Sequence, residues 1–336
     1  MMAPIRFVVL GYGHIGKRHA AMITRHPEAQ LEAIIDVKQA EDKAGAPWYC
    51  SLQAWQEAGG TADVCVVATP NGWHYAHTLA ALEAGCHVVV EKPVGLRTAE
   101  VQHMLELAEV KGKQVFPVMQ NRYSPPAVWI KQIIDSKRLG KLFMVQLNCF
   151  WNRDARYYVA ESWHGDKWLD GGTLFTQFSH FIDMMYWLCG DVYDIKGQMF
   201  DFNHQHLTQF EDSGMLQFLF KQGGAGCLQF STSVFNRNFE SSITLIGENG
   251  TVKLGGQYME AVTYCDIAGY EMPKLEPTNP GNDYGAYKGS AANHHFVIAN
   301  VIDVLRGRAK ITTRPEEGLA VVNIIERMYE ACQFTK

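Results

Sequence analysis

Short apolar runs alternate with helical stretches through the first third of the chain. IRFVVL (5–10), LEAIIDV (31–37), ADVCVVAT (62–69), CHVVVEKP (86–93) and KQVFPVM (113–119) read as strands. Helical patterns separate several of them, at 74–85 and 98–112. Such alternation predicts a parallel sheet with helices on both faces, whose ligands bind beyond the carboxyl ends of the strands. After about Gln120 the pattern changes. A turn with two prolines opens a helix (NRYSPPAVWIKQIIDS), a near-alternating strand follows (KLFMVQLNCFW), and then GMLQFLF, AGCLQFSTSV, SSITLIG and TVKLGG are separated by KQGGAG and GENG. Short runs with Gly-rich joints predict hairpins and an antiparallel sheet with one face free for a partner. Two helices close the chain, at 291–307 and 315–331.

Between the two patterns lies DGGTLFTQFSHFIDMMYWLCG (170–190). Read as one helix after Gly171-Gly172, it stacks Thr173, Thr176 or Gln177, His180 and Asp183 on one face. The rest is so apolar that the helix should be buried. The polar stripe must then face a cavity, a partner or hydrogen-bonding neighbours. From this segment alone, His180 reads as a satisfied core histidine.

The first strand runs into GYGHIG, with glycines at 11, 13 and 16. Strand before, helix after and an acid some twenty residues on (Asp36, closing the second strand) are what a dinucleotide fingerprint needs. Gly11 permits the turn, Gly13 lets backbone approach a pyrophosphate, and Gly16 lets helix and strand pack. The helix start at His14 and Ile15 offers amides and a positive dipole end to phosphates. Asp36 accepts ribose hydroxyls and repels a 2'-phosphate, so the expected cofactor is NAD. A structural glycine turn with an unrelated surface Asp is the alternative. Two more stretches close apolar strands: TPNGWH, with Thr69, Pro70, Asn71 and His74, and Glu91-Lys92-Pro93. A lysine ending a strand is usually solvated; here it sits where nicotinamide and substrate should meet.

The expected fold is therefore α/β. An N-terminal Rossmann dinucleotide-binding domain spans 1–122, and a C-terminal α+β domain on an open, mainly antiparallel sheet spans 123–336. A length of 336 residues suits two domains, and 47% hydrophobic with 19% charged residues suits a soluble globular chain. A net charge of -5 without a basic run argues against nucleic acid. The 8 cysteines show no metal-ligand spacing, and the histidine pairs 74/77, 204/206 and 294/295 lack a converging carboxylate or cysteine set, so no metal is expected. A strand almost at the N-terminus leaves no room for a signal peptide, and no run reaches membrane-spanning length. Those features point to the cytoplasm.

GYGHIG, then TPNGWHYAHTLAALEAGCHVVVEKP, then GG leading to HFIDMMYWLCG resemble the Gfo/Idh/MocA oxidoreductases over essentially the whole chain. QNRYSPP, CFWNRDARYY, LDGGTLFTQ and SITLIGENGTVKLGG look like the branch that oxidises UDP-linked 2-acetamido sugars at carbon 3. The resemblance implies that Lys92 and His180 flank the reacting hydroxyl. Imidazole suits removal of the carbinol proton as hydride leaves, and an ammonium stabilises the developing alkoxide. It implies cofactor contacts at Thr69, Pro70, Asn71, His74, Glu91, Lys92 and Gln120. Substrate contacts are implied at Asn121, Arg122, Arg153, Tyr157, Trp163, Gln177 and His180. Arg153 has a fork suited to a diphosphate or a uronate carboxylate, the alternative being an ordinary ion pair. Many members carry Asp four residues before the histidine; Thr176 stands there in this chain and is taken as a third catalytic position, its hydroxyl orienting the imidazole, a sugar hydroxyl or a water, the alternative being a bond to the backbone carbonyl four residues earlier.

The leading expectation is thus NAD-dependent oxidation of a UDP-sugar. A dehydrogenase of free sugars or inositols is the alternative on the same fold, and a non-catalytic NAD-binding regulator the alternative from another class. The expected partners are a small sugar or UDP-sugar and further copies of the chain, as a dimer or tetramer through the C-terminal sheet.

Overall fold

The computed structural model describes residues 3–40, 44–285 and 287–335. Its first strands follow the apolar runs: β1 (Ile5–Leu10), β2 (Ala29–Ile35), β3 (Trp48–Tyr49), β4 (Val64–Val67), β5 (His87–Val90) and β6 (Val115–Pro117). They pair in parallel in the order β3-β2-β1-β4-β5-β6. Helices α1 (His14–Arg25), α2 (Leu52–Glu57), α3 (His74–Glu83) and α4 (Thr98–Val110) join them. β4 is fully buried along its length, as befits a parallel strand covered on both sides. Strand order reverses between β1 and β4, so the ends of β1, β4 and β5 border the switch point where such sheets bind ligands.

The second unit opens with a 3-10 turn at Gln120–Tyr123 and α5 (Pro125–Asp135), whose Pro125 and Pro126 occupy the first positions, where no amide is lost. β7 (Leu142–Phe150) follows, then α6 (Lys167–Asp170), α7 (Thr173–Thr176) and α8 (Ser179–Cys189). The remaining strands are β8 (Val192–Phe200), β9 (Ser213–Phe220), β10 (Ala225–Ser231), β11 (Glu240–Gly247), β12 (Gly250–Gly255), β13 (Ala261–Ile267), β14 (Gly281–Asp283) and β15 (Lys288–Ala291). The chain ends with α9 (His294–Leu305), α10 (Pro315–Ala331) and β16 (Cys332–Thr335).

Eight strands form one open sheet, β13-β12-β11-β7-β10-β9-β8-β16, antiparallel except at β7–β10 and β8–β16. β9 and β10 alternate buried and more exposed residues, so one face is core. α8 lies on that face: the rings of Phe178 and Phe230 are 5.9 Å apart, and those of Phe181 and Trp151 5.5 Å. Each such aromatic stabilises the core by about 1.5–3 kcal/mol.

By packing, the chain through Met119 goes with His294–Val322, and Gln120–Asn293 with the residues from Asn323. A cut after Arg122 falls close to that division, but α9 packs with the first unit. The single helix expected after Gly172 is a correction. α7 stops at Thr176, and Phe178, at φ -114° and ψ 2°, caps a separate α8. The Phe178 amide reaches back to the Thr173 carbonyl at 3.3 Å, which breaks the regular ladder.

Candidate active site

In the first unit the glycine turn is required by the chain's own packing at two positions and left open at the third. Gly11 has φ 93°, and a Cβ there would meet the Ala68 carbonyl oxygen at 2.6 Å. A Cβ on Gly16 would strike the Gly11 carbonyl, whereas one on Gly13 would meet nothing within 4 Å. Gly13 is also the N-cap of α1 and offers its amides no side-chain acceptor. At this helix start His14 is exposed and Ile15 half-buried. Asp36 stands just past β2. Its Oδ2 accepts from the Tyr12 amide at 2.6 Å and its Oδ1 from the Lys38 amide at 2.8 Å. Each oxygen keeps a lone pair for a ribose hydroxyl.

Past β4, Thr69 and Pro70 are half-buried and Asn71 is buried. His74 is buried with Nε2 2.8 Å from the Thr69 carbonyl and Nδ1 2.7 Å from that of Pro93. It therefore braces the segment after β4 against the segment after β5. Burial pushes its proton affinity down, while the two carbonyls and Glu91 pull it back up. Glu91, at the end of β5, is buried. Its Oε1 lies 2.7 Å from His19 Nε2, and its Oε2 accepts from the Lys92 amide at 3.2 Å. Burial alone would raise this carboxyl, but the His19 hydrogen bond, together with the charges of His294, His19 and Lys92, brings it down to about 2. Lys92 itself is half-buried.

In the second unit Thr173, Thr176, Gln177, His180 and Asp183 each have a hydrogen-bonding neighbour, whereas the buried Ser179 hydroxyl has none among the described residues. Thr173 Oγ1 donates to the Glu211 carbonyl at 2.5 Å. Thr176 Oγ1 donates to the main-chain carbonyl of Asp170 at 2.8 Å and also to its carboxylate. Gln177 accepts from Arg153 Nε at 2.7 Å and donates to the Tyr157 hydroxyl at 2.8 Å. His180, 3% exposed, has Nε2 3.1 Å from the Gln120 side-chain amide nitrogen. That contact ties the tautomer of the ring to the orientation of the amide. Asp183 takes a bidentate pair from Arg122, Nε at 2.9 Å and Nη2 at 2.6 Å, with both side chains buried. The sequence separation of 61 between Arg122 and Asp183 hides this pairing from any local pattern.

Arg153 is 2% exposed, and protein acceptors take up its guanidinium. Besides Gln177, it donates to the Asn152 carbonyl at 2.6 Å, to Asn238 Oδ1 at 3.0 Å and to the Lys288 carbonyl at 3.2 Å. The rings of Trp151, Tyr157 and Tyr287 surround it at 4.7 to 5.1 Å. Burial lowers its proton affinity, and no carboxylate pairs with it among the described residues. Burial also raises the Tyr157 phenol well above its ordinary value, which keeps it a neutral donor. Asn121 is buried, its Oδ1 accepting from Ser290 at 2.5 Å. Trp163 is half-buried and stacked on His164 at 3.9 Å, and the His164 ring lies 4.4 Å from that of Tyr157.

Residues 5–118 match the Gfo/Idh/MocA oxidoreductase family, NAD-binding Rossmann fold, and residues 128–253 its Gfo/Idh/MocA C-terminal domain. The solved WlbA dehydrogenase of Bordetella pertussis, in complex with NADH and UDP-GlcNAcA, is 31% identical. Its TM-score is 0.86, with 98% of this chain and 96% of that one covered. The chain belongs to the Gfo/Idh/MocA family. Among curated relatives, scyllo-inositol 2-dehydrogenase (NADP(+)) IolW of Bacillus subtilis is 25% identical over 97% of this chain and 93% of its own. D-glucoside 3-dehydrogenase of Escherichia coli is 28% identical over 148 residues, and that match spans 42% of each chain.

As a member of this family the protein is an NAD-dependent oxidoreductase with a Rossmann unit and a mixed-sheet unit. The open Gly13 cradle, the uncapped start of α1 and the oriented Asp36 carboxylate fit NAD. Sequence reasoning missed several polar residues: His19, Asp170, Glu211 and His294, which are buried, and Tyr329, whose hydroxyl donates to Glu211. His19 had a local signal, since it shares the buried face of α1 with Gly16, Ala20 and Ile23. Glu211, His294 and Tyr329 are tied to partners far away in sequence, whereas Asp170 is held by Gly165 and Thr176, five and six residues away. No helix among the described residues is long and apolar enough to cross a membrane.

Proposed function

We propose that this oxidoreductase oxidises a secondary hydroxyl of a sugar, carbon 3 of a UDP-linked 2-acetamido sugar, with His180 as general base and Lys92 as electrostatic partner. The observation that carries the reading is the similarity to the Bordetella WlbA dehydrogenase across nearly all of both chains, a protein solved with NADH and UDP-GlcNAcA. Bound NAD supplies the hydride acceptor. The residues of this chain then have three tasks. The helix start at Gly13 and the carboxylate of Asp36 hold pyrophosphate and ribose. The neutral imidazole of His180, steadied by Gln120, takes the hydroxyl proton. The Lys92 ammonium stabilises negative charge developing on that oxygen.

Arg153 takes no direct anion contact in this reading, because its N–H groups go to protein acceptors. It steadies Gln177 and Tyr157 instead. The Tyr157 hydroxyl accepts from Gln177 and keeps its own proton to donate to a sugar oxygen. A second copy of the chain on the open face of the large sheet, where Met144, Gln146, Met215 and Gln217 are exposed, is the expected oligomer, and light scattering tests it.

The deciding experiment follows the reduced-nicotinamide absorbance with NAD and a panel of UDP-2-acetamido sugars, their uronic acids, free sugars and inositols. Turnover is expected with the UDP-sugars. Oxidation of inositols without turnover of any UDP-sugar would overturn this reading in favour of a polyol dehydrogenase, which the end-to-end similarity to IolW supports as the second reading. His180→Ala and Lys92→Ala should each depress turnover while NAD binding persists, the former by about 10²–10⁴-fold.

A further inference from the structure

Two histidines distant in sequence converge on one oxygen of Glu91. His19, on the inward face of α1, places Nε2 2.7 Å from Glu91 Oε1. His294, the first residue of α9, places Nε2 3.5 Å from the same atom. All three side chains are buried, at 0%, 7% and 1% exposure for His19, Glu91 and His294. The rings meet edge to face, 5.5 Å between centroids. The Nδ1 atoms of both rings are buried with no hydrogen-bond partner among the described residues. Leaving a buried polar atom unmet costs about 1–3 kcal/mol. Apolar side chains in these places would avoid that cost, so packing alone does not account for two imidazoles turned toward one carboxylate.

Glu91 in turn takes the amide of Lys92 on its other oxygen, at 3.2 Å. We infer that His19, Glu91 and His294 form a positioning unit for Lys92, fixing the main chain at the end of β5 and holding a buried negative charge one residue from its ammonium. The inference rests on the role given to Lys92 in the proposed function. His19 donates Nε2–H to the carboxylate, and the Lys92 amide donates from the other side. His294 lends little charge of its own, since burial presses it down to about 3 and it stays neutral in the working range. Its ring closes the α9 side of the carboxylate against water. The other charged or titratable groups facing this cluster are Lys92, His74 and Arg18. A fixed anion beside Lys92 favours its charged form, the form that stabilises an alkoxide.

The test compares pH–rate profiles and NAD affinities of wild type, Glu91→Gln, His19→Leu, His19→Gln and Lys92→Ala. Glu91→Gln keeps shape and one acceptor but removes the charge, so the basic limb of kcat should move to lower pH. His19→Leu deletes the donor but leaves the Glu91 charge, so the limb should stay near the wild-type position while kcat falls roughly 10–100-fold from misplacement of the lysine. His19→Gln restores a donor and should return the rate toward wild type. A slower Glu91→Gln enzyme with an unmoved limb, while Lys92→Ala is inactive, would reduce the cluster to scaffolding and overturn the inference. A Lys92→Ala enzyme turning over at the wild-type rate would instead overturn the role of Lys92 in the proposed function, and this inference with it.

Discussion

The Thr176 hydroxyl points back to Asp170, donating to its main-chain carbonyl at 2.8 Å and to its carboxylate. In a continuous helix Thr176 would have stood one turn before His180 on the same stripe. The break between α7 and α8 removes that regular spacing. Thr176→Val should therefore act mainly on stability, because it takes a donor from a buried carboxylate, a loss of about 1–3 kcal/mol. Its rate at a temperature where it is folded should stay far above that of His180→Ala. Thr176→Asp sets a second carboxylate against Asp170, so its melting temperature should recover as pH falls and one of the two becomes protonated. Scanning calorimetry between pH 5 and 8 reads both, and an Asp variant equally stable across that range would show that residue 176 does not meet Asp170.

The glycine turn was legible because every residue it needs is close by in sequence: strand, Gly11, Gly13, Gly16, helix, and Asp36 one strand later. The parallel order of the first sheet followed from the same local alternation. The second unit was legible only in part. β8 carries Tyr193, Asp194, Lys196 and Gln198 at exposed positions, so no hydrophobic alternation marks it, and β16 is a short tail on a helix. The sequence offered His180 as a candidate base but not the neighbour that fixes it, since Gln120 lies 60 residues away. Thr176, Gln177 and Asp183 of that stripe take hydrogen-bonding neighbours, though the stripe is divided between two helices. Which partners it takes is a matter of tertiary packing, and Arg122, Arg153 and Asp170 leave no periodic trace.

Asp36 is expected to set the choice of dinucleotide. Its carboxylate is preset by the amides of Tyr12 and Lys38, so ribose hydroxyls meet an acceptor that loses no freedom on binding. Hydrogen bonds to a charged group are worth about 1.5–3 kcal/mol, so Asp36→Ala should weaken NAD binding by roughly 10–100-fold. Binding of NADP should weaken far less or improve. Titration calorimetry with both dinucleotides decides the matter, and equal NAD and NADP affinities in the wild type would remove Asp36 from this role.

Arg122 and Asp183 should behave as one structural unit. Both are buried and bidentate, and Arg122 lies 5.1 Å from the Trp187 ring. Removing one partner strands the other's charge, so Arg122→Met or Asp183→Leu alone should cost about 3–5 kcal/mol, while the double variant should recover most of it. Urea unfolding of the two singles and the double closes the cycle. Additive losses would mean that the pair is not coupled and that Arg122 answers to something else.

Glu211 should make stability fall as pH rises. Burial pushes its carboxyl up to about 7, against the hydrogen bond from Tyr329, with Asp170 adding to the rise. Tyr329 donates to Oε1 at 2.6 Å and the Thr173 amide to the same oxygen at 3.1 Å, so the group sits at the start of α7. An ordinary glutamate in the unfolded chain loses its proton near 4.5, so between 4.5 and about 7 the folded state holds more protons than the unfolded one. The slope of unfolding free energy against pH is then negative in that window. The stability is fully present below about 4.5, declines above it, and the loss is complete once pH passes 7. A difference of that size is worth about 3 kcal/mol. Glu211→Gln cannot ionise but keeps an oxygen for Tyr329 and Thr173. It should melt near the wild-type temperature at pH 5 and increasingly above it toward pH 8, with the gap levelling off once Glu211 is fully ionised. Parallel melting curves for the two proteins across pH 5 to 8 would mean that Glu211 does not change charge in that range, and the carboxyl beneath α7 would be an ordinary ionised acceptor.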